Sequence, residues 1–188
     1  MKRWLVWGAL LMVSSCGVPV ESEARSISSD RVPPGLRPSA TDGELQSVED
    51  ERVVLWFVRE GHLVPVTRRL PAPIDAMHVL DGLQAGPTEG QQGAGLRSAL
   101  PGLGLIAGAT VSGGTAVVEL SDGFAQIPAA DQVLAVGQIV LTLTDRPGVG
   151  RVAFRVEGVD VAVPLPVGDS SPSSVSREDF LSLASPQL

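Results

Sequence analysis

Residues 151–165 read RVAFRVEGVDVAVPL, two runs of alternating apolar residues that meet at Glu157-Gly158. A two-residue loop containing glycine joins antiparallel strands and sets their register. Val156 then faces Val159, Arg155 faces Asp160, Phe154 faces Val161 and Val152 faces Val163. Because side chains alternate along a strand, Val152, Phe154, Val156, Val159, Val161 and Val163 fall on one face, with Arg151, Arg155 and Asp160 on the other. The apolar face needs a covering layer. The charged face is wet, and an exposed Arg155–Asp160 pair reads as structural, because such pairs contribute little.

Two further hairpins lie upstream. VVLWFVREGHLVPVTRRL (53–70) turns at Glu60-Gly61, and LGLIAGATVSGGTAVVELS (103–121) turns at or beside Gly113-Gly114. The covering layer is also legible. IDAMHVLDGLQAG (74–86) places Ala76, Val79, Leu80 and Leu83 at helical spacing and stops at Gly86-Pro87. PAADQVLAVGQIVLTLTDRPG (128–148) places Val133, Val136, Val140 and Leu143 on one side and stops before Pro147-Gly148. Gly137 sits inside this second helix, where it costs up to about 1 kcal/mol relative to Ala; a close packing contact would account for it. The expected order is ββαββαββ, an α+β fold with two helices packed on one face of a mainly antiparallel sheet.

The N-terminus carries an address. Met1, Lys2 and Arg3 start it, WLVWGALLMV (4–13) follows, and Ser14 and Ser15 lead into Cys16, the sole cysteine of the chain. An apolar run of about ten residues is half of what a bilayer-spanning helix needs. Val13-Ser14-Ser15-Cys16 resembles the lipobox of bacterial lipoproteins, in which the signal is removed and the cysteine acylated. Each buried CH₂ contributes about 0.8 kcal/mol, so two or more chains anchor durably. A lone cysteine has no partner within the chain for a disulfide, and the residues after it are unfit to form a core. Cys16 is therefore expected to be the lipid attachment point, holding the protein on the extracytoplasmic face of the cell membrane.

Residues 1–15 thus read as a signal peptide, and 16–51 as the lipidated cysteine and a disordered tether. From Gly17 to Glu51 the chain is rich in Ser and Pro and carries eight acidic against three basic residues, with no periodic apolar face. Such a segment cannot bury enough apolar surface to offset its ordering entropy. The folded domain is expected over 52–188. Thirteen Arg stand against one Lys, and Asn and Tyr are missing, a bias that fits a high-GC bacterial genome. The formal charge of −7 argues against nucleic acid as a partner. It also leaves membrane attachment to the acyl chains.

The stretch VLDGLQAGPTEGQQGAGLRSALPGLGLIAGATVSGGTAVVELSDGF (79–124) resembles the first half of a GerMN domain. The likeness lies in a Leu-x-x-Gly-Pro-type helix end (Leu83 to Pro87), a Leu100-Pro101 segment, and a Leu-Ser-x-x-Phe-like strand end (Leu120 to Phe124). AVGQIVLTLTDRPGVGRVAFRVEG (135–158) looks like the family's second helix and last hairpin. The resemblance covers about residues 53–185. It implies kinship with sporulation and germination lipoproteins and with envelope lipoproteins of high-GC Gram-positive bacteria, and a fold similar to ring-building domains that associate side by side. Within these 188 residues one copy is expected where sporulation members carry two, without the propeller domain that some envelope members add.

No catalytic constellation emerges. With two histidines, His62 and His78, and one cysteine, a Cys/His metal cluster cannot be built. His62 follows a turn and His78 lies at helical spacing from Asp75 and Asp81, so both read as solvated surface residues. PGLGLIAG (101–108) contains G-x-G-x-x-A but leads into a strand, whereas a dinucleotide site needs a helix there. Glu119 and Asp122 near a strand end could attract a ligand, yet turn chemistry explains Asp122-Gly123. No cofactor, metal or catalytic residue is expected. The sequence points to a protein-binding or assembly module of the cell envelope with an unidentified protein partner. The alternative is a small-ligand-binding lipoprotein or minor envelope hydrolase whose site assembles from dispersed residues.

Overall fold

The computed structural model describes residues 50–168, 170, 171 and 173–185. The expected signal peptide (residues 1–15), Cys16 and the expected tether up to residue 49 lie outside the described residues. β1 (Asp50–Arg59) and β2 (His62–Pro71) pair from Asp50–Pro71 to Arg59–His62. Glu60 and Gly61 both adopt left-handed φ, 51° and 80°, the geometry that a two-residue hairpin loop requires. β1 starts two residues ahead of Arg52 because Asp50 and Glu51 already find partners in Pro71 and Leu70. α1 (Ala76–Gln84) and a five-residue α2 (Glu89–Gly93) follow, the latter closed by a Thr88–Gln91 capping box.

β3 (Ile106–Ser112) and β4 (Thr115–Leu120) form the second hairpin around Gly113-Gly114, with a bulge near Gly108. α3 (Ala129–Thr144) then crosses to β5 (Arg151–Val156), which lies parallel to β4. A parallel neighbour needs a crossover of this length. The main sheet has the order β3-β4-β5-β6, with β6 (Val159–Asp160) and β9 (Val175–Ser176) both antiparallel to β5. Its inner face presents Ala116, Val118, Leu120, Val152 and Phe154, all buried, to the helices. Its outer face carries Thr110, Val117, Glu119, Ala153 and Arg155, exposed or half-buried.

The fold is α+β and mainly antiparallel, with three departures from expectation. First, β1 and β2 form a sheet of their own. Second, α3 is not an amphipathic stripe: every residue from Leu134 to Leu143 is buried, while Val133 is only partly so. The hairpin β1–β2, β5 of the main sheet, α1 and the C-terminal segment all pack against α3, so no flank is left for water. Third, the last hairpin opens early. Arg155–Asp160 and Val156–Val159 pair as the turn dictates, and the Val161 amide still reaches the Phe154 carbonyl at 3.0 Å. Val152, however, pairs with Val175 instead of Val163, and Val163 in β7 (Val163–Pro164) pairs with Ser171 in β8 (Ser170–Ser171). The edge of β5 is taken by β9, and Pro164 and Pro166 have no N–H with which to extend a ladder. Val159 is consequently 66% exposed.

Candidate functional site

The interior polar groups are structural ties. Gln138 and Thr142 are fully buried on α3 and face the free edge of β1. The Gln138 amide donates to the Trp56 carbonyl at 2.8 Å and accepts from the Ala99 N–H at 2.6 Å, while Thr142 Oγ1 accepts from the Trp56 N–H at 3.1 Å. Val58 exchanges two backbone bonds with Arg97, each 2.8 Å. A strand edge inside the core, whose unpaired groups would otherwise cost free energy, is thus satisfied by a helix and a loop. Gln84 does the same for the Ile106 N–H at 3.0 Å.

Two arginines hold helix ends. The Arg68 guanidinium donates to the Gly82 and Gly86 carbonyls at 2.9 and 3.0 Å and lies over the Phe57 ring. It meets one carbonyl in the last turn of α1 and one just beyond its cap, and its burial lowers its pKa. Beyond α3, Asp145 accepts from the Trp56 indole at 2.5 Å and from Arg177 at 2.6 Å, with Arg177 stacked over Trp56. The C-terminal segment is fastened there. Phe180, in a 3-10 helix over Glu178–Leu183, is fully buried, and a Cβ added to Gly137 would stand 2.7 Å from Leu63 Cδ1 and 3.1 Å from Phe180 Cδ1. The close contact expected at Gly137 is present.

Among the described residues, those weighed as candidates on sequence sit at the surface. His62 Nδ1 lies 3.2 Å from the Glu60 carbonyl. His78 Nδ1 lies 3.0 Å from Asp75, which caps α1 by accepting the His78 N–H at 2.8 Å. That bond, more than the nearby imidazole, lowers the Asp75 pKa. Arg155 Nε donates to Asp160 at 2.6 Å, which raises the arginine pKa. Glu119 accepts from the Gly158 N–H at 2.7 Å and so braces the turn of the last hairpin; Asp122 begins a 3-10 helix over Asp122–Gln126. Among the described residues no group of His, Cys, Asp and Glu is placed to hold a metal. Sequence reading missed Gln138, Thr142, Arg68 and Arg177. A polar residue inside an otherwise apolar helix was the visible signal for the first two.

Open hollows mark the surface of the described residues. One of about 390 Å³ lies between the end of α1 and the Leu96–Gly102 segment; another of about 300 Å³ adjoins it at Ser98, Leu100 and Pro101 and ends at Asp131. A third of about 430 Å³ runs beside β3, lined by Asp75, Ala109, Thr110, Val111, Arg146 and Val149.

Residues 48–162 match the family model Germane, described as sporulation and spore germination. The chain belongs to this family. The first Germane (GerMN) domain of the sporulation protein GerM from Bacillus subtilis has a similar fold, with a TM-score of 0.52 and 22% identity over 68% of this chain and 98% of that one. The tandem GerMN domains of the same protein match with a TM-score of 0.51 and 21% identity over 69% of this chain. The chain covers 47% of that tandem structure, about half its length. No curated protein matches significantly. The Germane match stops at residue 162, yet Val163, Val175 and Phe180 beyond it are buried in the same core. No helix among the described residues is long and apolar enough to cross a membrane.

Proposed function

We propose that acyl chains on Cys16 hold this protein at the extracytoplasmic face of the cell membrane, and that its Germane domain binds or assembles a protein partner of the envelope without catalysing a reaction. The anchor reading rests on the Val13-Ser14-Ser15-Cys16 motif after a short apolar segment. The binding reading is carried by the lopsided sheet. The helices cover its inner face, while among the described residues the outer face and the edge at β3 are left open. The polar interior supports the same reading. Among the described residues every buried side-chain nitrogen and oxygen has a partner, whereas catalytic groups are characteristically perturbed and aimed into a cleft.

Cys16→Ala is expected to leave the precursor uncut and to abolish incorporation of labelled fatty acid; normal acylation would overturn the anchor. Crosslinking from the outer sheet face in intact cells, through a photoreactive residue at Ala153, is expected to trap a defined envelope protein. Failure to trap any protein from Ala153 or from the β3 edge would overturn the binding role.

A further inference from the structure

We infer that β3 is a docking edge for a second copy of this chain, forming a closed two-fold pair across the main sheet. The inference rests on the binding role proposed above and names the partner. β3 ends the main sheet, and its outer edge meets no strand among the described residues. From the hairpin at Ser112–Thr115, alternation of the ladder gives Thr110 its bonds to Val117 and turns the N–H and C=O of Ala109 and Val111 outward. No backbone hydrogen bond reaches these four groups from the rest of the described chain.

Folded proteins protect such edges with charge, proline or a covering loop. β3, with the sequence IAGATVS, has no charge and no proline, and Val111 is 47% exposed at its rim. The bulge near Gly108 confines pairing to the last residues of the strand.

That short run is self-complementary. An antiparallel copy centred on Thr110 sets Ala109 against the second copy's Val111 and Val111 against its Ala109, so all four outward groups on each strand are bonded. Thr110 meets its own counterpart on the outer face, a favourable cross-strand pair. On the inner face each Val111 covers an alanine and closes the 430 Å³ hollow beside it. Charge permits the approach despite the overall −7. β3 is itself uncharged, so no like charges face each other in the seam, and the hollow beside it carries Asp75 and Arg146, which are of opposite sign. One edge pairs once, so assembly ends at two copies, unlike a head-to-tail ring.

Thr110→Cys in the full chain, in membranes of expressing cells, tests the geometry. Opposed residues at this kind of rung stand about 4.5 Å apart between Cα atoms, within disulfide reach. Mild oxidation is expected to give a covalent dimer in large excess over Val159→Cys, on the far side of the sheet, and over the native chain with Cys16 alone. Adding Val111→Lys should cut the dimer yield about tenfold or more by placing charge in the seam. The inference is overturned if Thr110→Cys gives no more dimer than Val159→Cys, or if the Val111→Lys variant, folded by circular dichroism, dimerises undiminished. Should Val111→Lys fail to fold, the Thr110→Cys comparison decides alone. Trapping of a different protein from Thr110, with no dimer, would overturn the second copy while leaving the binding role standing.

Discussion

The first and last hairpins turn on the same dipeptide with nearly the same backbone, φ 51° and 80° at Glu60-Gly61 and 52° and 76° at Glu157-Gly158. The first runs in register for the full length of two ten-residue strands, whereas the last holds two ladder pairs before its chain departs. Turn chemistry fixes which residues face each other at the loop. It does not fix how far the ladder runs. β1 is buried from Val53 to Val58 apart from Val54, because α1 and α3 flank its hairpin. β6 projects from the rim of a sheet whose central positions are already occupied, and both its residues are exposed. Strand length is set by what covers the strand.

The largest expected effect tests that statement within the last hairpin itself. Phe154 is 2% exposed on β5, whereas Val159 on β6 is 66% exposed. Phe154→Ala should cost about 3 to 5 kcal/mol in chemical denaturation, a large share of a domain's stability. Val159→Ala should change unfolding within about 0.5 kcal/mol. Comparable losses at both positions would mean that β6 is packed as firmly as β5, and the contrast between the hairpins would fail.

Next comes the contact that presses α3 against the first hairpin. A methyl added at Gly137 meets Leu63 of β2 at 2.7 Å and Phe180 at 3.1 Å. Overpacking of this kind costs about 1 to 3 kcal/mol, against which alanine's helix propensity returns at most about 1 kcal/mol. Gly137→Ala should therefore destabilise by roughly 1 to 2 kcal/mol. A stabilised variant would show that Leu63 and the C-terminal 3-10 helix yield easily, and that the first hairpin is less tightly clamped than its burial implies.

These two sites also mark how far sequence reading reached. All three turns, the register beside the last of them, both long helices and the tight contact at Gly137 were legible, because each depends on neighbours within one or two elements. The pairing of Val152 with Val175 was not. It depends on residues far along the chain that carry little alternation of their own. Nor was the all-round burial of α3, since a stripe of Val133, Val136, Val140 and Leu143 cannot announce a second covering sheet. The structural ties of Gln138 and Thr142 to Trp56 span 82 and 86 residues, beyond any local pattern. The surface proposed for binding was invisible for a related reason: an unpaired edge is defined by what fails to lie beside it.

A smaller effect should be common to both hairpins. Glu60 and Glu157 are the non-glycine residues with positive φ among those described, and a side chain in that region costs about 1 to 2 kcal/mol unless it is Asn or Asp. Glu60→Asn and Glu157→Asn should each stabilise by about 1 kcal/mol in the same measurement. Equal gains would locate the strain in the turn and leave strand length to packing. A gain confined to the first hairpin would show that turn strain is felt only where the strands beyond it are held.

The smallest effect belongs to the wet side of the last hairpin. Arg155 Nε and Asp160 Oδ1 are 2.6 Å apart, but their side chains are 43% and 63% exposed. Water competes for both groups, and exposed pairs are often without measurable effect on stability. The rung itself persists without the pair, because Val156–Val159 closes the turn and Glu119 holds the Gly158 N–H from β4. Asp160→Ala should accordingly leave the unfolding transition where it is, and with it any capture of the proposed partner in intact cells. The pairing of those two readouts gives the test its force. A variant with unchanged unfolding that no longer captures its partner would make the charged rim of this hairpin a contact surface. The two hairpins would then differ in task as well as in length, the first serving the core and the last serving the partner.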